Sequence, residues 1–459
     1  MLSEVASLFQ SASPAFCFIT RAVNFFRALL LGTALIVVAV LASRGFHRFF
    51  DDGPPDEVDL DSITLPKGAT VGEAFGLDLD GDAKTDFLFS EYFPKEPTKK
   101  GRVRIFRQTT DQRFEEITET HLGLVEVFHL RDLKLIDVNG DGFSDILLAD
   151  HGPDVPPYPG ASPRLLIQTH QGHYKDETEQ RLPKLSDFTF NIVKIDVNVD
   201  GSPDIYLSNV KGGTSQPRLL INNQKGFFKE ESWRLPKELT SKQICSMAAL
   251  SVSFQKSTLR DLVIGGCDRR ENGEGDSRDR VLKIEKGKLV LLPPETLPKR
   301  YLDSTWGTVH IQPLPQADGN TDLLVATHPP GFDQGAVQIY KQTTGADGIL
   351  KFEAGPLIWK SAQQLPIFVQ WMWKLGVDDN PSHWILETRE ANSLKKPYFD
   401  RNRIFRLTPE EAFDKTAELN PILRRFGGHT IPINSGAVLF IEYSGKMRRL
   451  TALHHRESP

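Results

Sequence analysis

Apolar residues in this chain fall into short runs separated by polar turns, not into helix-length stripes. The segment Leu133–Leu148 shows the unit: Leu-Lys-Leu-Ile-Asp-Val-Asn-Gly-Asp-Gly-Phe-Ser-Asp-Ile-Leu-Leu. Its two apolar runs each have the length of a buried strand, and the loop between them is rich in Asp, Asn and Gly. A further apolar run follows as Arg164-Leu-Leu-Ile-Gln, then Gly172-His-Tyr-Lys-Asp-Glu-Thr. This order predicts four short antiparallel strands, with the acidic loop joining the first two.

The unit repeats. The loop that carries Asp137, Asn139, Asp141 and Asp145 recurs upstream as Asp78, Asp80, Asp82 and Asp86, and downstream as Asp196, Asn198, Asp200 and Asp204. The first carboxylates stand at 78, 137 and 196, a constant spacing of 59. The third-strand motif repeats as well, Arg104-Ile-Phe-Arg-Gln and Arg218-Leu-Leu-Ile-Asn matching Arg164-Leu-Leu-Ile-Gln, and Gly226-Phe-Phe-Lys-Glu-Glu-Ser matches the fourth strand. Degenerate copies continue the period, with unit starts near 253, 314, 376 and 433. Asp318, Gly319 and Asp322 survive in one of them, Asp378 and Asn380 in another.

A four-stranded unit cannot bury both sheet faces alone, so neighbours must stack. Radial stacking of such units gives a β-propeller. Seven units predict an all-β, seven-bladed β-propeller of four-stranded antiparallel blades. The last unit runs out of chain after its third strand, and Val58–Thr64 lies ahead of the first unit with no blade of its own. Val58–Thr64 is therefore expected to supply the outermost strand of the last blade, antiparallel to Lys446–Leu453.

Alternating oxygen side chains on a tight loop suit a hard cation, because Ca²⁺ takes six to eight oxygen ligands. The glycine at the sixth loop position, Gly142 or Gly201, supplies a positive-φ backbone. These repeats resemble the FG-GAP/VCBS family, which includes the propeller of integrin α subunits. The resemblance spans nearly all of residues 58–459 and is specific in the first three units. It implies that the first, third, fifth and ninth loop side chains bind Ca²⁺, with carbonyls from Lys84, Phe143 and Ser202. The expected metal ligands are thus Asp78, Asp80, Asp82 and Asp86; Asp137, Asn139, Asp141 and Asp145; and Asp196, Asn198, Asp200 and Asp204. Ala83 stands where the pattern has glycine, so the first site is expected to be the weaker. The later units lack the ligand set and are expected to be metal-free. Solvated acidic turns that bind nothing are the competing reading of all three loops.

The N-terminus is of another kind. Ala28–Ser43 carries no charge and is bounded by Arg27 and Arg44, with Phe25, Phe26, Phe46, Phe49 and Phe50 around it. This predicts a single N-terminal transmembrane helix over 25–46, against the alternative of a cleaved signal peptide ending near Val40-Leu41-Ala42. The domain order is then an N-terminal segment 1–24, the anchor 25–46, a linker 47–57 and the propeller 58–459. Arginines balance across the span, so charge does not set its orientation. Calcium loops favour the periplasmic or extracellular side.

The 459 residues include 3 Cys and carry a net charge of −5, which excludes a disulfide scaffold and gives no reason to expect nucleic acid. Cys245 and Cys267 flank the fourth loop on strands that should pair, where either a disulfide or two buried thiols would fit. His151, Cys267 and His328 occupy one equivalent place, six residues after the closing carboxylate, which a shared turn preference explains as well as a catalytic cluster does. Neither a Gly-x-Ser-x-Gly nor a His-Glu-x-x-His motif is present. The chain therefore reads as a membrane-anchored, extracytoplasmic, calcium-binding propeller, not an enzyme, that binds or scaffolds a protein partner. The alternative is a carbohydrate-active propeller, a polysaccharide lyase or lectin.

Overall fold

The computed structural model describes residues 57–451 apart from 111–112, 211–215, 242–244, 255–256, 268–277, 301–305, 330–333, 346–347, 362–366, 376–381, 391–402, 408–411, 415–427 and 435–436. The anchor stretch 25–46, the linker as far as residue 56, Asp378 and Asn380 lie outside the described residues. Among the described residues no helix is long and apolar enough to cross a membrane.

Residues 56–459 form one compact unit. Its described strands make seven antiparallel sheets in chain order, six of four strands and one of five. The second sheet is typical, with Leu130–Ile136, Asp145–Asp150, Arg164–His170 and His173–Asp176 paired in sequence order. The first sheet departs from the expected four, because Glu126–Val127 adds to the far end of Gly101–Thr110. The innermost strand of each sheet packs against that of the next, and Gly428–Asn434 of the seventh packs against Thr70–Leu77 of the first. The contacts thus close on themselves, and the fold is a β-propeller.

Strand pleating explains why the second strands read as continuous apolar runs. Successive side chains point to opposite faces, and a sheet stacked on both sides buries both. In Asp145–Asp150 every residue is buried. Ile146 and Leu148 enter the core shared with the first sheet. Leu147 and Ala149 enter the core shared with the third. The same division places Leu88 on one side and Phe87 and Phe89 on the other, where they meet Ile431, Leu439 and Ile441 of the seventh sheet.

The seam closes as the strand count requires. Glu57–Asp59 pairs antiparallel with Met447–Thr451 as the outer strand of the seventh sheet. The regular strand is shorter than the 58–64 expected. Its line is continued by hydrogen bonds from Leu60 N–H to the Met447 carbonyl at 3.0 Å and from Ile63 N–H to the Gly445 carbonyl at 2.8 Å. Cys245 and Cys267 are joined in a disulfide with Cα atoms 5.5 Å apart.

Candidate metal centre

Each acidic loop sits at one end of a hairpin between two buried strands. In the second loop the first carboxylate, Asp137, accepts from Gly140 N–H at 2.7 Å and Gly142 N–H at 3.0 Å, one on each oxygen. Asn139 Oδ1 accepts from Asp141 N–H, and Asp141 Oδ1 from Phe143 N–H. The third loop is similar, with Gly201 N–H on one Asp196 oxygen, but its other oxygen accepts from Asp200 N–H, the fifth loop residue, which also donates to Asn198 Oδ1, and Asp200 Oδ1 accepts from Ser202 N–H. These turns wrap the backbone around the side chains. Each oxygen keeps a lone pair beyond the one its backbone donor uses.

The backbone conformation needed for this is steeper than one glycine per loop. Residues four and six both have positive φ: Gly81 at 77° and Ala83 at 64°, Gly140 at 75° and Gly142 at 86°, Val199 at 59° and Gly201 at 87°. The sixth-position requirement was legible in the sequence. The fourth was signalled only by Gly81 and Gly140, and Val199 hid it.

The ninth-position carboxylates are different in kind. Asp86, Asp145 and Asp204 are fully buried. One oxygen of each accepts from the second loop residue (Leu79, Val138 and Val197 N–H at 2.9, 3.0 and 2.9 Å), and the other from a third-strand amide (Gln108, Gln168 and Asn222 N–H, each at 2.8 Å). Burial pushes all three carboxyls up to about 6, against the pull of those donors. A divalent cation beside them would favour the ionised form.

In the first loop, carboxylate oxygens of Asp78, Asp80 and Asp86 lie within 4.8 Å of one another. Asp82 is not in that trio and is instead ion-paired with the Lys84 ammonium. Oxygen-only donors at this separation fit a calcium ion, so the residues present suit the group that the sequence implies.

Residues that the sequence reading passed over fasten the first and second loops to the next sheet. Gln168 Nε2 donates to the Leu79 carbonyl at 3.1 Å, as does the Tyr174 hydroxyl at 3.2 Å. Asn222 Nδ2 does the same to the Val138 carbonyl at 2.7 Å. The signal was the Gln or Asn that ends every Arg-x-x-x-Gln/Asn motif. The Arg that opens it pairs with a fourth-strand carboxylate: Arg104 with Glu116, Arg164 with Asp176 and Arg218 with Glu230.

A family model described as an FG-GAP-like repeat matches residues 78–148 and 137–207. Residues 78–207 therefore carry FG-GAP-like repeats. The matched residues are the first two full intervals between acidic loops, where the FG-GAP pattern is sharpest. No curated protein matches the sequence. Among solved structures, the Dos1 propeller is similar at 8% identity over 87% of this chain and 95% of its own, with a TM-score of 0.45. A GH43 β-1,3-galactosidase with galactodeoxynojirimycin is similar at 12% identity over 62% of this chain and 93% of its own, with a TM-score of 0.32. The β-fructofuranosidase from Schwanniomyces occidentalis, complexed with fructosyl-erythritol, is similar at 11% identity over 86% and 94%, with a TM-score of 0.34.

The histidine column resolves into local roles. His151 and His328 are fully buried, and each contacts the carbonyl of its own next residue through Nδ1, at 2.8 Å to Gly152 and 2.8 Å to Pro329. Burial and the Arg131 charge hold the His151 imidazole well below its usual pKa. Cys267 is taken by the disulfide. Among the described residues the three do not bring their ligand atoms together.

Proposed function

We propose that this FG-GAP-repeat protein is a membrane-anchored, seven-bladed, calcium-binding propeller that works by binding a protein partner, not by catalysis. The observation that carries the reading is the first loop, where three carboxylates from one turn converge within 4.8 Å. The second and third loops share its backbone pattern. Calcium would be held by Asp78, Asp80, Asp82 and Asp86, by Asp137, Asn139, Asp141 and Asp145, and by Asp196, Asn198, Asp200 and Asp204. It would supply charge compensation and rigidity. The loop carbonyls of Leu79 and Val138 are already tied to the following sheet, so an ion that stiffens the loop also stiffens the joint between blades.

The seven sheets and the closed ring of inner-strand contacts support a count of seven blades. Two features support a site outside the cytoplasm. The Cys245–Cys267 disulfide suits an oxidising compartment, and calcium is abundant there. The uncharged 28–43 stretch would be the tether.

The test uses the full-length chain in mild detergent. Calcium is expected to raise the melting temperature by mass action on the folded state, each occupied site adding about 2.7 kcal/mol of stability at a hundredfold excess over Kd. Asp141→Ala and Asp200→Ala should each remove part of the shift. A melting curve indifferent to chelator would make the loops plain turns. Cell fractionation checks the tether: a soluble product beginning near Ser43 would overturn it. Protease added from the non-cytoplasmic side should reach the propeller.

A further inference from the structure

At the end of the second sheet away from its acidic loop, two buried histidines face each other. His129 immediately precedes the inner strand and His151 immediately follows the second strand, and Leu130 pairs with Asp150 between them. His151 N–H donates to the His129 carbonyl at 3.1 Å, and the two rings meet edge to face with centroids 4.6 Å apart. A ring nitrogen of each and a carboxylate oxygen of Asp154 lie within 4.8 Å of one another. A seven-residue strand separates His129 from Asp137, a distance of about 25 Å.

The scaffold under the trio is rigid. The buried Asp150 carboxylate accepts from Phe128, His129 and Gly152 N–H, so both histidine-bearing segments hang on one side chain. Phe188 stacks on His151 at 3.9 Å, and Tyr92 stacks on His129 at 4.2 Å. Gly152 sits at φ +84°, and a Cβ there would come within 2.3 Å of the Gly160 carbonyl carbon. That close approach brings the two ends of the 152–160 loop together, with the exposed Asp154 on the loop between them.

The decisive atom is His151 Nε2. Nδ1 faces a carbonyl that can only accept, so Nδ1 carries the proton. Nε2 is buried and has no hydrogen-bond partner. A buried polar atom without a partner is costly. An imidazole whose N–H is fixed on a backbone carbonyl, with its other nitrogen left open, is how proteins orient a histidine toward a metal.

We propose that His129, His151 and Asp154 form a second metal site, for a transition ion of the Zn²⁺ class and separate from the calcium loops. Two imidazoles and a carboxylate match the ligand preference of Zn²⁺ and its neighbours, whereas calcium takes oxygen. Three protein ligands leave room for water or for a group from a partner. The fixed charges around the site are Asp154, Asp150 below it and Arg131 beside it. Arg131 lies 4.0 Å from Asp154, 3.8 Å from Glu73 and 4.7 Å from the Phe190 ring centre. An ion would draw Asp154 away from Arg131, which keeps its other two contacts.

The test is Zn²⁺ titration of the calcium-saturated, full-length chain in detergent after removal of transition metals, read by calorimetry and by the visible spectrum with Co²⁺ in place of Zn²⁺. His121, His170 and His173 stack on the surface with centroids 4.1 and 3.9 Å apart and would trap zinc adventitiously. All measurements therefore use a His170→Gln, His173→Gln background. One equivalent is expected to bind. Asp154→Asn, at an exposed side chain, and His129→Gln should each weaken it by at least about tenfold, the least that loss of even an outer-shell partner costs. Asp137→Asn should leave it unchanged. A background protein that takes up no stoichiometric zinc would overturn the proposal, as would Asp154→Asn and His129→Gln proteins that keep their circular dichroism and bind it equally well.

Discussion

Val58 lies directly opposite Arg449, pairing the first described strand with the last. Asp59 adds ion pairs to Arg448 at 3.0 Å and Lys446 at 3.3 Å across the same seam, all near the surface. Exposed pairs of this kind contribute little, so the hold comes from the backbone ladder and from Ile63, buried among Phe87, Phe106 and Met447. Leu60→Pro removes the N–H that bonds Met447 and should cost about 1–3 kcal/mol. Ile63→Ala should cost about 2–5 kcal/mol through the cavity it leaves. Urea unfolding measures both, while Asp59→Ala should stay within about 0.5 kcal/mol of the parent.

The positive φ of Val199 and Ala83 gives a prediction of opposite sign. A left-handed backbone costs an L-residue roughly 1–2 kcal/mol, partly offset by the greater chain entropy that glycine loses on folding. Val199→Gly and Ala83→Gly should therefore stabilise the folded chain by about 0.5–1 kcal/mol and tighten calcium binding. Gly142→Ala should do the reverse. Denaturant unfolding with and without calcium separates the two effects.

Reduction of Cys245–Cys267 should lower stability by about 2–4 kcal/mol, the cost of releasing a link that spans 22 residues. A Cys245→Ser, Cys267→Ser protein should match the reduced parent and lose all further response to reductant. Differential scanning calorimetry reads the shift.

Asp261 closes the degenerate fourth loop, and its carboxyl is pushed up to about 6 by burial. Its ordinary value is 3.8, so between those values the folded chain holds a proton that the unfolded chain has lost. Its contribution is therefore fully favourable below the unfolded value and falls as pH rises toward 6. Asp261→Asn cannot ionise, so its stability relative to the parent should increase as pH goes from 4 to 7. Melting temperatures across that range should show the two proteins diverging; parallel curves would refute the titration of this group.

The sequence by itself determined the repeat, the strand order within each unit and the identity of the acidic loops. Those features are local: two apolar runs of strand length and a loop of alternating oxygens depend on neighbours in the chain, and a constant spacing makes them visible three times over. It also foretold the seam, because counting strands leaves the last unit one short. The tertiary structure decided what local pattern does not encode. It set which apolar face of each strand joins which core, and it drew the ninth loop carboxylates into full burial between two backbone donors. It also gave Gln168 and Asn222 the task of holding the preceding sheet's loop. His129 and His151 show the reason most plainly. They are 22 positions apart in a sequence with no motif around them, and antiparallel pairing of Leu130 with Asp150 brings them face to face. Contacts between strands obey register and stacking, and neither is written in the order of residues along one strand.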